Sequence, residues 1–318
     1  MSERQPADLI GPMSMHLGAD VGSSDMVPDA ESAPAHWVVL MTCFNRRDKT
    51  LACLHSLSPN RAALADEGVQ LSVVLIDDGS QDGTAQAVRE AFPWVQVVSG
   101  DGQLYWTRGM HEAWTLALTR QPSHVVWLND DTLLLPDALV RLRACAVALQ
   151  ARGEPPSVVV GSTFDSATLK RSYGGEMQRR GWRKSRFDPV EPDPDMPLRC
   201  DSMTGNLVLV PHAVWARVGM LDPCFEHAMG DTDYALRCRV LGVPVWLAPG
   251  FHGSCSDNDV GGGYRDARLP KLRRWRLMLD RKGLPWRSWL RLTRRHMGWN
   301  WPLYFLWPYL ALWLGRSS

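Results

Sequence analysis

Carboxylates are grouped at three places in this chain of 318 residues. The groups are VVLIDDGSQDGT around Asp77 and Asp78, VVWLNDDT around Asp130 and Asp131, and MGDTDYALR around Asp231 and Asp233. Each lies after or near an apolar run typical of a buried strand, so folding would gather them along one rim of a sheet. Carboxylates that close repel one another unless a cation compensates. Since Mg²⁺ or Mn²⁺ prefers oxygen ligands and can bridge to a diphosphate, the groups predict a metal-dependent enzyme that uses a nucleotide-activated substrate.

The length allows one large domain or two ordinary ones, with a substantial core. The net charge is only +1, but residues 265–296 hold twelve basic side chains against two acidic ones, and are therefore +10. The rest of the chain is then −9. Such asymmetry predicts a separate anionic partner for the basic segment.

Seven cysteines, an odd number without CxxC pairing, argue against a zinc site and a disulfide framework. They predict reduced thiols in a cytosolic protein. Residues 1–35 are rich in Ser, Asp, Pro, Gly and Met and lack a basic stretch followed by an apolar one. They are interpreted as a disordered leader without a secretory signal.

Seven apolar runs predict strands, at 36–44, 69–77, 95–100, 124–130, 157–163, 206–210 and 243–249. Several are continuous rather than alternating, as expected for strands covered on both faces. Helical patterns alternate with them up to about residue 163. This order predicts an α/β fold with a mostly parallel, Rossmann-like central sheet flanked by helices. Residues 164–204, rich in charge, Gly and Pro, are interpreted as a loop or lid.

TCFNR follows the first predicted strand. Loops at the carboxyl ends of strands bind ligands in open α/β sheets, so Thr42 and Asn45 are candidate nucleotide contacts. The alternative is a plain strand-to-helix turn with Asn45 or Asp48 as its cap.

IDDGSQDGT is more specific. A helical pattern follows, so Ser80 or Asp82 can cap that helix, but capping explains only one of the acids. The carboxylate of Asp77 or Asp78 matches the N3–H donor of uracil or thymine. Recognition of the base is therefore favoured over a purely structural turn.

LNDDT ends a very apolar strand, where ionised groups are favoured only at the exposed tip. Asn129 is a candidate for the ribose, Asp130 for the nucleotide and Asp131 for the metal. A helix cap remains the alternative for one of the three, but it does not explain why two carboxylates adjoin.

GDTDYALRCRVLG begins a predicted helix. Asp231 can be a general base that deprotonates an acceptor hydroxyl, or it can simply favour the helix N-terminus. Asp233 is a candidate for the acceptor or sugar pocket. A lone histidine is usually structural, but His227 is a candidate acceptor contact and His252 a candidate metal ligand.

These four ordered pieces resemble the family 2 glycosyltransferases, inverting enzymes of the GT-A fold, and among them the rhamnosyltransferases. The resemblance covers roughly residues 36–255. It implies a nucleotide-sugar donor, Asp77 or Asp78 at the base, Asn129 at the ribose, Asp131 at the metal and Asp231 as catalytic base.

The chain departs from the family pattern at two motif positions. Asn129 replaces the first acid of the DxD-type motif, and Gly230 replaces the Glu often found before the base. GDGQLYWTRGMHEAW resembles a segment that lines the donor site, so Trp106 and Arg108 are candidates to shape the sugar or diphosphate pocket. Core packing is the alternative for Trp106.

Seven of the fifteen tryptophans follow residue 274. In PWRSWLRLTRRHM, apolar and arginine side chains occupy opposite faces of a predicted helix, a pattern typical of an anionic bilayer surface. WNWPLYFLWPYLALWL is too short to span a bilayer and contains two prolines, which favours interfacial embedding. The alternative is packing on the catalytic domain or a partner subunit. Interleaved Trp and Leu argue against nucleic acid.

The predicted organisation is a leader at 1–35, a nucleotide-binding half at 36–135, an acceptor half at 136–258 and a membrane-associating tail at 259–318. The predicted activity is inverting transfer from a UDP- or dTDP-sugar to a polysaccharide or lipid-linked glycan, with Mg²⁺ or Mn²⁺, on the cytoplasmic face of the membrane. A nucleotidyltransferase is an alternative, although TCFNRRDK has no glycine for a triphosphate loop. An inactive sugar-nucleotide or lipid-carrier binding module is another.

Overall fold

The computed structural model describes residues 35–256 and 263–315. Residues 1–34 of the predicted leader lie outside this range. All seven cysteines lie within it and are unpaired.

Twelve strands occur in the described residues, and each predicted run forms one of them. They are β1 (Ala35–Cys43), β2 (Val69–Asp77), β3 (Val95–Ser99), β4 (His124–Leu128), β5 (Leu133–Leu134), β6 (Val158–Phe164), β7 (Gly175–Gln178), β8 (Phe187–Pro189), β9 (Leu198–Cys200), β10 (Ser202–Met203), β11 (Leu207–Pro211) and β12 (Val245–Ser254). The α-helices are α1 (Arg47–Asp66), α2 (Thr84–Ala91), α3 (Tyr105–Leu118), α4 (Ala138–Ala151), α5 (His212–Val218), α6 (Gly230–Val240), α7 (Lys271–Leu279), α8 (Trp286–His296) and α9 (Trp301–Trp313).

Within the described residues, nine strands form one central sheet in the order β3-β2-β1-β4-β11-β6-β12-β5, with β9 paired to β12. The strands β1, β2, β3, β4, β6 and β12 run in one direction, and β5, β9 and β11 run in the other. The predicted α/β fold with a mostly parallel sheet is confirmed.

Both faces of the sheet are buried, as the continuous apolar runs predict. On β1, Trp37 and Val39 belong to the core cluster beneath α1 and α4. The intervening Val38 and Leu40 belong to a second cluster with Trp114 of α3. Because side chains alternate along a strand, residues 37–41 are all buried, each against one helical layer or the other.

The parallel strands place their carboxyl ends at one edge of the sheet. β1 pairs with both β2 and β4, so the loops that follow these strands lie side by side. β11 runs antiparallel to β4, and its amino end reaches the same edge, where the Asn129 N–H donates to the Asn206 carbonyl at 3.1 Å. Three candidate segments are thereby brought together by strand pairing alone.

Residues 164–204, predicted to be a loop or lid, contain short strands. β7, β8 and β10 form a separate antiparallel sheet, and β9 extends the central one. The prediction was wrong here because strands of two to four residues are too short to show a hydrophobic period.

The three C-terminal helices pack on the domain around a third core cluster, in which Trp289 and Leu292 of α8 meet Phe225 and Leu236. The apolar face of α8 is therefore buried in protein, which corrects its predicted contact with a bilayer. Amphipathic periodicity identifies a face that must be covered, but it does not say by what. No helix in residues 35–256 and 263–315 is long and apolar enough to cross a membrane.

Candidate active site

The two aspartates after β2 have different surroundings, although both are buried. The Asp78 carboxylate accepts backbone N–H groups from Gly102 at 2.9 Å, Leu104 at 3.0 Å and Tyr105 at 2.9 Å. The Asp77 carboxylate accepts only the Ser80 N–H, at 2.9 Å, among the described residues. Asp78 thus holds the turn into α3, and Asp77 keeps an oxygen for a ligand.

Asn45 and Thr42 build the neighbouring loop. Asn45 adopts a left-handed φ of 50°, accepts the Gln81 N–H at 2.7 Å and donates its own N–H to Ser80 Oγ at 2.8 Å. A Cβ on Gly109 of α3 would lie 2.4 Å from Thr42 Oγ1. Asn45 therefore joins the loops after β1 and β2, and Thr42 packs beneath α3.

Arg46 pairs with both aspartates that follow β4, and its single charge offsets only one of their two. Its guanidinium lies 2.9 Å from Asp130 Oδ1 and 2.8 Å from Asp131 Oδ2. The pKa of Asp130 is raised to about 6. Burial is the main cause and the charge of Asp131 adds to it, while Arg46 acts in the opposite direction. The repulsion between these two adjacent carboxylates is of the kind that a bound cation reduces.

The donor set at Asp131 suits a hard cation. Mg²⁺ commonly takes one or two carboxylates and completes its shell with water and substrate phosphates. Among the described residues no group of three or more His, Cys, Asp or Glu side chains is placed to hold a metal. Asp131 and the adjacent Asp130 offer oxygen ligands of the type that such an ion takes.

His252, the predicted metal ligand, does not complete such a group. Its ring is fully buried, and neither ring nitrogen has a hydrogen-bond partner in the part of the chain that the structure describes. Burial lowers the pKa of His252 to about 3, so the ring is neutral. A different side chain from the same segment, Cys255, lies near Asp131, with its Sγ 3.6 Å from Asp131 Oδ1.

Trp106 connects the strand tip of β4 to the first turn of α6. Its Nε1 donates to Asn129 Oδ1 at 2.7 Å. A Cβ on Gly205 would come within 2.3 Å of its ring, so the indole lies directly on this glycine. The Gly205 N–H in turn donates to Asp231 Oδ2 at 3.1 Å. Asn129 and Asp231 are thus connected through Trp106 and Gly205.

Asp231 is half-buried in the first turn of α6. Burial raises the pKa of Asp231, and the N–H groups of Thr232 and Gly205 oppose that effect. A raised pKa suits a general base, because it increases proton affinity. Gly230 has no room for a side chain, since a Cβ there would lie 2.5 Å from Thr107. Close packing of α6 against α3 accounts for the glycine at this position.

Arg108 contacts the loop before α6, and His227 belongs to that loop. Arg108 Nε donates to the Pro223 carbonyl at 3.0 Å, and its Nη2 lies 3.5 Å from Glu226. His227 packs edge-on against the Tyr105 ring. Burial, and then the charge of Lys282, lower its pKa to about 4. Arg108 holds this loop in place, and His227 is a neutral ring beside Tyr105.

Asp233, predicted to lie in the acceptor or sugar pocket, has no exposed surface. It accepts from Arg237 Nε at 2.9 Å, Arg295 Nη1 at 2.7 Å and His296 Nε2 at 2.9 Å. Burial alone would raise its pKa, but the His296 hydrogen bond and the two arginines lower it below the usual value. Asp233 therefore anchors α8 on the domain, which corrects the predicted role.

The family model of glycosyl transferase family 2 matches residues 38–205, more than half of the chain. The chain belongs to this glycosyltransferase family. The matched range contains the loops with Asp77, Asp130 and Asp131, and it ends before Asp231. A comparison with curated proteins finds no match.

Solved structures of glycosyltransferases share the fold. The mannosyltransferase PcManGT from Pyrobaculum calidifontis, in complex with GDP-Man and Mn²⁺, is 18% identical with a TM-score of 0.50, over 86% of this chain and 68% of that one. GalNAc-T7 with UDP, GalNAc and Mn²⁺ is 14% identical with a TM-score of 0.53, over 71% of this chain and 44% of that one. At these identities the likeness shows the GT-A fold alone.

Two arginines at this glycosyltransferase site were not found from the sequence. Arg46 contacts aspartates more than eighty residues away. Arg281, from the basic segment, lies 2.8 Å from Glu226, donates to the Tyr105 hydroxyl and stacks 4.4 Å above the Tyr105 ring. Neither contact leaves a local signal, because each pairs residues that only folding brings together. The C-terminal segment thus touches the turn that Asp78 holds.

Proposed function

We propose that this glycosyltransferase moves a sugar from a UDP- or dTDP-sugar to a hydroxyl of a polysaccharide or lipid-linked glycan, with inversion and with Mg²⁺ or Mn²⁺. One observation carries the proposal: Asp77 and the pair Asp130 and Asp131 follow strands that end at one sheet edge, and Asp231 is connected to that edge through Asn129, Trp106 and Gly205. The GT-A neighbours are named with nucleotide or nucleotide-sugar and Mn²⁺.

The donor would lie along this edge. Asp77 keeps an acceptor oxygen for the N3–H of uracil or thymine. Asp131, with Asp130, would hold the divalent ion, which when bound offsets the charge on the departing diphosphate. Trp106 and the Asn129 amide would border the ribose and sugar.

The reaction would be one in-line displacement. Asp231 accepts the proton of the acceptor hydroxyl as its oxygen attacks the anomeric carbon. The bond from that carbon to the phosphate oxygen breaks, and the nucleoside diphosphate leaves with the electron pair. Because attack is opposite to the leaving group, the anomeric configuration inverts.

Nucleotide release from a panel of UDP-, dTDP- and GDP-sugars would test this proposal. We expect release of UDP or dTDP with Mn²⁺ or Mg²⁺, and loss of at least 90% of the rate in EDTA, since the diphosphate charge would then be uncompensated. Asp77→Asn should weaken use of the uracil or thymine donor, because an amide can present a donor to N3–H where a carboxylate only accepts.

Four outcomes would contradict the proposal. Turnover of GDP-sugars alone would refute the assigned base, and full activity in EDTA would refute the metal. Release of pyrophosphate from a nucleoside triphosphate would indicate a nucleotidyltransferase. Donor binding without any release would indicate a binding module.

The tail would hold the enzyme on the inner face of a cell membrane, consistent with seven unpaired thiols in a reducing compartment. The outward face of α9 is apolar at helical spacing, with Leu303, Leu306, Leu310 and Trp313 exposed. Exposed arginines such as Arg273 and Arg276 flank it on α7 and have no ion pair in the described residues. Apolar and basic surfaces side by side are typical of binding to anionic lipid.

Flotation with phosphatidylglycerol-containing vesicles would test the membrane contact. We expect the protein to float with these vesicles and not with neutral ones, and the variant L303S/L310S/W313S to lose at least tenfold in binding, because each large apolar side chain contributes about 1.5–3 kcal/mol when buried. The matched control is V147S/V240S, at residues that are 53% and 74% exposed elsewhere. Equal flotation of the variant and the wild type, or α9-dependent dimers instead of flotation, would overturn this contact.

A further inference from the structure

A cavity of about 370 Å³ adjoins the first turn of α6. Its lining comes from β7, the segment before β8, α6 and the chain that precedes α7. The residues that matter are Glu176, Arg179, Arg186, Phe187, Thr232 and Arg265. None of them was singled out as a site residue from the sequence.

The cavity carries an excess of positive charge. Arg179 is paired with Asp188 at 2.9 Å, which leaves its charge balanced. Arg186 and Arg265 have no ion pair with a carboxylate in the described residues, although Arg265 stacks on Tyr264 at 5.5 Å. Against them stands Glu176, whose pKa burial raises to about 7, so that it carries less than a full charge near neutral pH.

The cavity lies next to Asp231 along α6. Thr232, one of its lining residues, follows Asp231 directly, and the charge of Asp231 contributes to the raised pKa of Glu176. Asp231 accepts the N–H of Gly205, on which Trp106 lies. The candidate base is thus connected to Trp106 through Gly205 and to this cavity through Thr232.

We propose that this cavity binds the acceptor and selects one that carries an anionic group, a phosphate or a carboxylate, near its reactive hydroxyl. Arg186 and Arg265 hold the anion, since guanidinium groups bind both oxyanions with paired hydrogen bonds. Glu176 accepts a hydrogen bond from a hydroxyl of the acceptor sugar, and Phe187 packs against the sugar ring. The acceptor role rests on the proposed function, whereas the anion site itself does not.

Direct binding to the full chain tests the site. Calorimetry in EDTA, which prevents a probe from binding through a metal, would compare glucose 1-phosphate, glucuronate and glucose. We expect at least one anionic probe to bind tenfold or more tightly than glucose, and R186Q/R265Q to remove at least tenfold of that affinity. The matched control R152Q/R287Q removes two arginines that also lack an ion pair among the described residues, and it should bind like the wild type. Whichever anionic probe binds more tightly identifies a phosphate or a carboxylate as the group.

The inference is overturned if both anionic probes bind no better than glucose, or if R186Q/R265Q binds them as the wild type does. Metal-dependent nucleotide release, measured on the same variants without acceptor, should be unchanged in R186Q/R265Q. Absence of nucleotide release by the wild type would reject the proposed function without contradicting the anion site. Intact release with no preference for anions would reject this inference alone.

Discussion

The variant Asp231→Asn is expected to lower sugar transfer by about 10²- to 10⁴-fold, the range that general-base catalysis contributes. Asparagine keeps the shape and one acceptor for the Gly205 and Thr232 N–H groups, so the free energy of unfolding should fall by only about 1 kcal/mol. Affinity for the donor should be unchanged, because the carboxylate acts on the acceptor. Steady-state transfer, donor binding and urea unfolding measured together would check this.

The dependence on pH adds an independent test of the same residue. Burial raises the pKa of Asp231, so the acidic limb of transfer should lie above the range of an ordinary aspartate. The variant Glu176→Gln is the comparison, since Glu176 also interacts with Asp231 and lines the proposed acceptor cavity; it should weaken acceptor binding but keep the raised acidic limb. Transfer that survives Asp231→Asn but is lost in Glu176→Gln would assign the base to Glu176.

The variant Asp233→Asn should lower the free energy of unfolding by about 3 kcal/mol, the lower end of the range for breaking a buried ion pair. It leaves Arg237 and Arg295 facing an uncharged group, but these arginines are 18% and 26% exposed and recover part of their hydration. Urea unfolding would measure the loss. Hydrogen exchange should show faster exchange in α8, which Asp233 anchors.

The control for Asp233→Asn is Glu67→Gln. Glu67 pairs with Arg143 at 2.6 Å, but both side chains are about a third exposed, and the change should cost less than about 1 kcal/mol. The lowered pKa of Asp233 also stabilises the wild type above about pH 4, and this contribution is lost as the pH falls through the folded-state pKa. An equal loss in both variants, or an unchanged acid limb in Asp233→Asn, would contradict the anchoring role.

Much of the fold could be predicted from the sequence because a strand that is buried on both faces forms an apolar run. Each of the seven apolar runs is a strand, and β2 has the predicted bounds, Val69–Asp77. The polar residues after β2 and β4 lie at one edge because parallel strands end together. Strands too short for a period, such as β8 and β10, could not be found in this way.

The roles of individual carboxylates could be predicted less well. Asp77 and Asp78 are adjacent residues of the same type, yet backbone N–H groups from the turn into α3 occupy only Asp78. Asp231 and Asp233 are two residues apart on one helix, where side chains separated by two positions point in different directions. One faces Gly205, and the other faces α8.

The sequence by itself determined the alternation of strands and helices, the positions of the acidic loops and the amphipathic character of the tail, because these depend on neighbours along the chain. Only the tertiary structure decided that Arg46 pairs with Asp130 and Asp131, that α8 packs on protein, and that Glu176 is close enough to Asp231 for their charges to interact. The physical reason is that the partner of a charge or an apolar face is selected by packing between distant segments. Local periodicity states that a partner is needed but does not identify it.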